Sequence, residues 1–160
     1  DFDGSSDGLY FTNTGYNINT LSSFVVGQDP NNSTLGVMFA FSGSVGNVRW
    51  YAPFNNGSSH LFGYGNTTSA ITATRTTDQN LHTMIAGSTQ GDCEAWINAT
   101  SLGTTALQSG STTAPMGIGN FNNQYPLDCK VQEVLVYGLD QSSNRTGIET
   151  DINTYFSIYT

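Results

Sequence analysis

A chain of 160 residues is long enough to bury a core of its own and fits a single domain over 1–160. Its net charge is −8, and four basic residues, Arg49, Arg75, Lys130 and Arg145, cannot assemble the patch that nucleic acid or anionic lipid requires. Only 10% of residues are charged, so solubility rests on hydroxyls and amides, the composition of an exported β protein, while 12% aromatics argue against a disordered chain. No apolar run approaches the roughly 18 residues that membrane insertion needs. With no apolar leader and no initiator Met, the chain reads as processed or as part of something longer.

The first eleven residues place Asp1, Asp3 and Asp7 around Gly4 and Gly8, then a short strand over 9–11. A second strand follows over 21–28, closed by turn chemistry at Asp29-Pro30-Asn31-Asn32. Over 36–41, Val37, Phe39 and Phe41 alternate with Met38 and Ala40, so this strand is apolar on both faces and belongs inside a sandwich. Residues 48–54 run back, with Pro53 marking an edge or a bulge. Asn55-Asn56-Gly57 predicts a type I′ turn into a strand over 60–64. Over 70–76, Ile71, Ala73 and Arg75 alternate with Thr72, Thr74 and Thr76. Strands over 81–86, 93–98, 105–108 and 115–121 lead to the closing strand at 131–137. There Val131 and Val134 lie three apart, so a bulge near Gln132-Glu133 is needed to bring both to the core.

After Gly138-Leu139-Asp140 the period changes. Ile148, Ile152, Tyr155/Phe156 and Tyr159 form one stripe of a helix over about 142–158, with Asp140 or Ser142 as N-cap. Gly147 costs this helix about 1 kcal/mol relative to alanine, so it is held by docking, as a lid on the end or edge of the sheets. Short strands with frequent turn signals and one late helix predict an all-β, two-sheet antiparallel sandwich with one short C-terminal helix.

The run LDCKVQEVLVY with its acidic turn and short helix resembles the C-terminal signature of laminin G-like jelly rolls in the concanavalin A-like lectin/glucanase superfamily. The opening DFDGSSDGLYF is similar to that family's first-strand motif, and CEAWINATSLG to its strand-and-turn "vYvNG". The likeness touches both ends and the region of Trp96, and implies a jelly roll. The polar wording of the helix, DQSSNRTGIETDIN, is most similar to versions in virion proteins of marine bacteriophages, which implies an extracellular or virion location. Cys129 stands where that family usually has glycine. An even cysteine count in an exported chain predicts a Cys93–Cys129 disulfide, which by loop entropy adds about 4 kcal/mol.

Glycosidases of this superfamily carry two carboxyls about 5–5.5 Å apart. Here Glu94, Glu133 and Glu149 are isolated, with Glu133 read as a structural carboxylate capping amides at the bulge. His60 and His82 read as strand-surface histidines, so the chain is expected not to be an enzyme. Sugar faces are held by rings beside hydrogen-bonding groups, which singles out Trp50, Tyr51, Asn56, His60, Tyr64, Asn123 and Tyr125 as candidate ligand-binding residues. For Trp50, Phe62 and Trp96 a place in the core is the plainer reading. The oxygen-rich turn of Asp1, Asp3 and Asp7 suits calcium, although no cofactor is required and such turns are common without ions. Three functions follow: a recognition or adhesion module binding cell-surface glycans, a structural module contacting neighbouring virion or secreted proteins (with homo-oligomer formation natural to an appendage), or a glycoside hydrolase relative. The sandwich alone does not choose among them.

Overall fold

A computed structural model describes residues 1–5, 7–12, 16–17, 20–31, 35–41, 50–64, 70–87, 92–106, 111–112, 115–120 and 125–160. Its strands, in chain order, are β1 (Phe2–Asp3), β2 (Leu9–Phe11), β3 (Tyr16–Asn17), β4 (Ser22–Gln28), β5 (Gly36–Val37), β6 (Phe39–Phe41), β7 (Trp50–Asn56) and β8 (Ser59–Tyr64). They continue with β9 (Ile71–Thr74), β10 (Gln79–Ala86), β11 (Cys93–Ile97), β12 (Thr100–Thr105), β13 (Ser111–Thr112), β14 (Met116–Ile118) and β15 (Asp128–Tyr137), before helix α1 (Arg145–Phe156). One sheet has the order β1-β15-β4-β10-β11-β12 and a second the order β2-β14-β6-β7-β8-β9, with β5 also on β7. β3 and β13 form a separate pair. Every described pairing is antiparallel.

The main core lies between the two sheets, where Val25, Phe39, Phe41, Trp50, Phe62 and Met84 are buried together. The expected bulge is present: the β15–β4 register shifts between Val131 and Glu133, leaving Gln132 as the extra residue. That shift returns Val131, Val134 and Val136 to the main core, and sends Leu135 and Tyr137 to the opposite face. Pro53 also marks a bulge, since β7 shifts register against β8 between Tyr51 and Phe54. β7 is an interior strand, so Pro53 is at a bulge and not at an edge.

Three segments differ from the sequence pattern. Val37 packs with Tyr51 and Leu61 on the outer face of its sheet, whereas Phe39 and Phe41 face the core. The strand breaks at Met38, opposite the β7 bulge, and the two irregularities compensate. The β7–β8 turn is Gly57-Ser58, with Gly57 at φ 57°, and Asn55 and Asn56 belong to the strand itself. The strand expected over 105–108 ends instead at Thr105, because Asn98 and Ala99, at φ 51° and 62°, turn β11 directly into β12.

The helix covers the outer face of the six-stranded sheet and not its end or edge. Ile152 is buried there with Phe24, Val26, Leu81, Ile85 and Trp96, and Ile148 and Phe156 pack alongside. Its N-cap is Asn144, whose side chain makes no capping bond. Asp140 instead accepts from the Ser142 amide at 2.9 Å, and so closes the turn before the helix. Ser157 ends the helix in the left-handed region, and Asn153 Oδ1 accepts from the amides of Ile158 and Tyr159, each at 2.9 Å.

The Cys93–Cys129 bridge is not formed, and both thiols are free and buried. The sheet order explains this. Two strands, β4 and β10, separate β15 from β11, which is roughly 14 Å across the sheet, and bridged Cα atoms must lie within about 7 Å. Cys93 also pairs with Ala86 beside the Leu21 end of β4, while Cys129 precedes Lys130, the partner of Gln28 at the other end.

Candidate functional site

Strand parity decides which of the sequence candidates can meet a ligand. Trp50 and Tyr51 are adjacent on β7 and therefore face opposite ways. Trp50 is fully buried in the main core, and its indole Nε1 donates to Ser23 Oγ at 3.0 Å. It is a core ring and not a sugar platform. Tyr51 lies on the outer face of the seven-stranded sheet but is only 5% exposed, and the bulge at Ala52-Pro53 puts half-buried Phe54 on that same face, packed against it. Their rings lie 5.8 Å apart, and Tyr125 stands edge-on to Phe54 at 5.4 Å. Tyr125 is held by its backbone, which adopts φ 58° and whose carbonyl accepts from Val37 N at 3.2 Å. Asn56, two residues beyond Phe54, is exposed at the end of β7. Three candidates, Tyr51, Asn56 and Tyr125, thus share one face, joined by Phe54. The sequence reading passed over Phe54, and only the Pro53 bulge could have signalled it. Asn123 lies outside the described residues, as does the side chain of Tyr64.

The hairpin carrying Asn56 is fixed from beneath by a buried polar chain. The parity of Ile71, Ala73 and Arg75 turns Arg75 inward, where it pairs with Asp29, both side chains being 0% exposed. Arg75 also donates from a terminal guanidinium nitrogen to the Gly57 carbonyl at 3.1 Å, and its amide bonds Ser58 O at 2.8 Å. Asp29 accepts from Asn55 Nδ2 at 2.6 Å, which leaves Asn55 Oδ1 facing His60 Nδ1 at 2.6 Å. A carboxylate can only accept, so the amide nitrogen belongs toward Asp29 and His60 carries its proton on Nδ1. His60 and His82 are both buried, against the expectation of surface histidines, with ring centroids 5.1 Å apart. Burial, reinforced by the Arg75 charge, lowers His60 to about 4. Burial and then the neighbouring His60 hold His82 well below its ordinary range. Both are neutral at pH 7, and His60 therefore supports the turn from inside without meeting a ligand.

The Asp1–Asp7 turn is organised by its own amides. Asp3 Oδ1 accepts from Ser5 N at 2.8 Å and Ser5 Oγ at 2.6 Å, and Asp7 accepts from Asp3 N at 3.3 Å. Among the described residues no group of three acidic, histidine or cysteine side chains is placed to hold a metal ion.

The carboxylates are dispersed. Glu94 on β11 accepts from Ser101 Oγ at 3.0 Å. Glu149 is buried under α1 and paired with Arg145, whose guanidinium lies 4.5 Å over the Trp96 ring. Burial pushes the Glu149 carboxyl up, against the lowering effects of the Thr83 hydroxyl and of Arg145. Glu133 lies at the bulge, but no described residue donates to it, so it does not cap amides there. It lines an open groove between β15 and α1.

No protein-family model matches the sequence, and no curated relative matches it. Solved structures do match. A mouse laminin α1 fragment, domains LG4-5, superposes with TM-score 0.59 at 7% identity, covering 86% of this chain and 41% of the fragment. A heptameric SAP-like pentraxin from Limulus polyphemus gives 0.57 at 13% identity, over 90% of this chain and 77% of that one. The Ruminococcus gnavus IT-sialidase CBM40, bound to α2,3 sialyllactose, gives 0.56 at 10% identity, over 89% and 96%. This chain therefore shares the two-sheet jelly-roll fold of these structures, and at these identities the likeness is one of fold. It spans less than half the length of the laminin fragment. No helix among the described residues is long and apolar enough to cross a membrane.

Proposed function

We propose that this chain is a non-catalytic recognition module of an extracellular or virion protein, and that it holds a glycan on the outer face of its seven-stranded sheet. The observation that carries the reading is the half-buried Phe54–Tyr125 ring pair, backed from beneath by buried Tyr51, beside exposed Asn56. Rings cover the C–H face of a sugar, and amides meet its hydroxyl rim. The fold it shares with the sialyllactose-bound CBM40 supports the class. The charges favour a neutral sugar: among the described residues Arg75 is committed to Asp29, Arg145 to Glu149, and exposed Lys130 lies on the other sheet, in a chain of net charge −8. Acidic sugars need a free guanidinium or ammonium.

The test is a glycan array with purified protein, run with calcium and with chelator. Binding to neutral glycans, retained with chelator and lost in Tyr125→Ala and Asn56→Ala, supports the reading. A blank array in both buffers overturns it. Loss with chelator would mean that the ligand is held through a cation.

A structural role in a larger assembly has one observation of its own. β2 is the edge of the seven-stranded sheet, and Leu9, Tyr10 and Phe11 are all about half exposed. An apolar edge strand is a natural contact for neighbouring protein, homo-oligomeric copies included. Retention of the array-negative protein by its own assembly, lost in Phe11→Lys, would favour this role.

A further inference from the structure

We infer that the groove between α1 and β15 is a second docking site, and that its occupant is an extended, basic peptide segment of a partner protein. The groove holds about 520 Å³. Its floor is apolar, from Leu135, Tyr137 and Ile152, and its rim carries Glu133, Asp151 and Tyr155. Tyr155 is 82% exposed and edge-on to Phe156 at 4.8 Å, which leaves its ring open to a ligand beside the groove. Neither rim carboxylate has an ion-pair partner among the described residues, whose two salt bridges are Arg75–Asp29 and Arg145–Glu149. Lys130 is exposed on the same strand but pairs with neither.

The floor also has an unpaired side. β15 pairs with β4 from Lys130 to Tyr137, but on its other edge β1 reaches only Asp128 and Cys129. Among the described residues no strand pairs with that edge over 131–137. The helix lies over β4, β10 and β11, so the groove opens on the β15 side.

These features select one kind of occupant. A strand edge recruits an extended backbone through main-chain hydrogen bonds, and alternate side chains then fall onto the face that carries Glu133, Leu135 and Tyr137. Two carboxylates beside an exposed tyrosine favour lysine or arginine at those positions, by charge and by cation–π contact. Apolar residues between the cations would follow the strand's period of two. The site is separate from the Tyr51–Phe54–Tyr125 face, which lies on the other sheet.

The test titrates the protein calorimetrically with a synthetic heptapeptide of alternating lysine and valine, and with its glutamate counterpart. The lysine peptide is expected to bind about tenfold tighter or more, with the preference shrinking in high salt. Glu133→Gln with Asp151→Asn removes that preference, while Asp78→Asn with Asp92→Asn, an equal change of net charge elsewhere, does not. Binding of the lysine peptide also slows amide exchange over 131–137. Equal losses in the two double variants would reduce the effect to net charge and overturn the site. Unchanged exchange over 131–137 would overturn the strand-edge mode. Glycan binding is measured on the same Glu133→Gln/Asp151→Asn protein, so failure of this site and failure of the glycan reading are told apart.

Discussion

Two parts of this molecule hold an element in place by opposite means. At one end of the sandwich interior, the β7–β8 hairpin is fastened by Arg75, Asp29, Asn55 and His60, all directional and all buried. Across the outer face of the six-stranded sheet, α1 is fastened mainly by apolar contact of Ile148, Ile152 and Phe156 with the strands beneath. The first fixes atoms by distance and direction and is vulnerable to any lost partner. The second tolerates sliding and depends on area. A surface that must present Asn56 at a set position is served by the first kind, and a cover by the second.

The contrast can be broken from either side. Arg75→Met should cost about 3–5 kcal/mol in chemical denaturation, because Asp29 stays buried without its counter-charge. Adding Asp29→Leu should return much of that loss, and absence of recovery would mean that the bonds lost to Gly57 and from Asn55 outweigh the ion pair. Ile152→Ala should cost about 2–4 kcal/mol, and an effect below ~0.5 would mean that the helix is a loose tail.

The two regions should also part in acid. His60 has a folded pKa near 4 against 6.5 when unfolded, and His82 is lowered too. The stability they contribute is complete above about 6.5 and is lost as pH falls toward 4, because the unfolded chain takes up protons first. The melting temperature should drop over that window, and drop less in His60→Gln, which keeps a hydrogen bond to Asn55 within reach. Glu149 works in the other direction: its folded pKa is raised, so its burial costs stability as pH rises through that value. The smallest effect is a gain. Gly147 lies within α1 with open space around its Cα, so Gly147→Ala should stabilise by about 0.5–1 kcal/mol.

Much of this architecture was legible in the residues. The two-valine spacing across Gln132 required a bulge, because a strand's period of two leaves no other choice. The alternation of Ile71, Ala73 and Arg75 was visible without saying that Arg75, just past the end of β9, turns inward. The helix stripe was legible through Ile148, Ile152 and Phe156, although Tyr155 points to solvent and the helix is Arg145–Phe156, shorter than expected. Its docking place was not legible, since periodicity says that a face is buried and not what buries it. The candidate site was half legible. Trp50 and Tyr51 are equivalent in composition, and only register separates the core ring from the face ring. The Ala52-Pro53 bulge, not chemistry, recruits Phe54 to Tyr51. His60 looked like a surface histidine because its partners, Asn55, Asp29 and Arg75, are brought beside it by turns and loops. The cysteine pairing failed for a related reason, since an even count carries no information on sheet order.

Those two thiols have a use of their own. Burial raises Cys129 to about 12, with the nearby Asp29 and Asp128 adding to the effect, and raises Cys93 further still. Thiolates are the reactive form, so both are silent toward alkylating agents while their surroundings stay closed. They lie at opposite ends of one sheet, Cys93 beside Ala86 and Cys129 beside Phe2. The protein thus carries a built-in pair of clocks: the alkylation rate of each sulfur times the opening of its own end, and the ratio tells whether the sandwich breathes as one body or frays from one side.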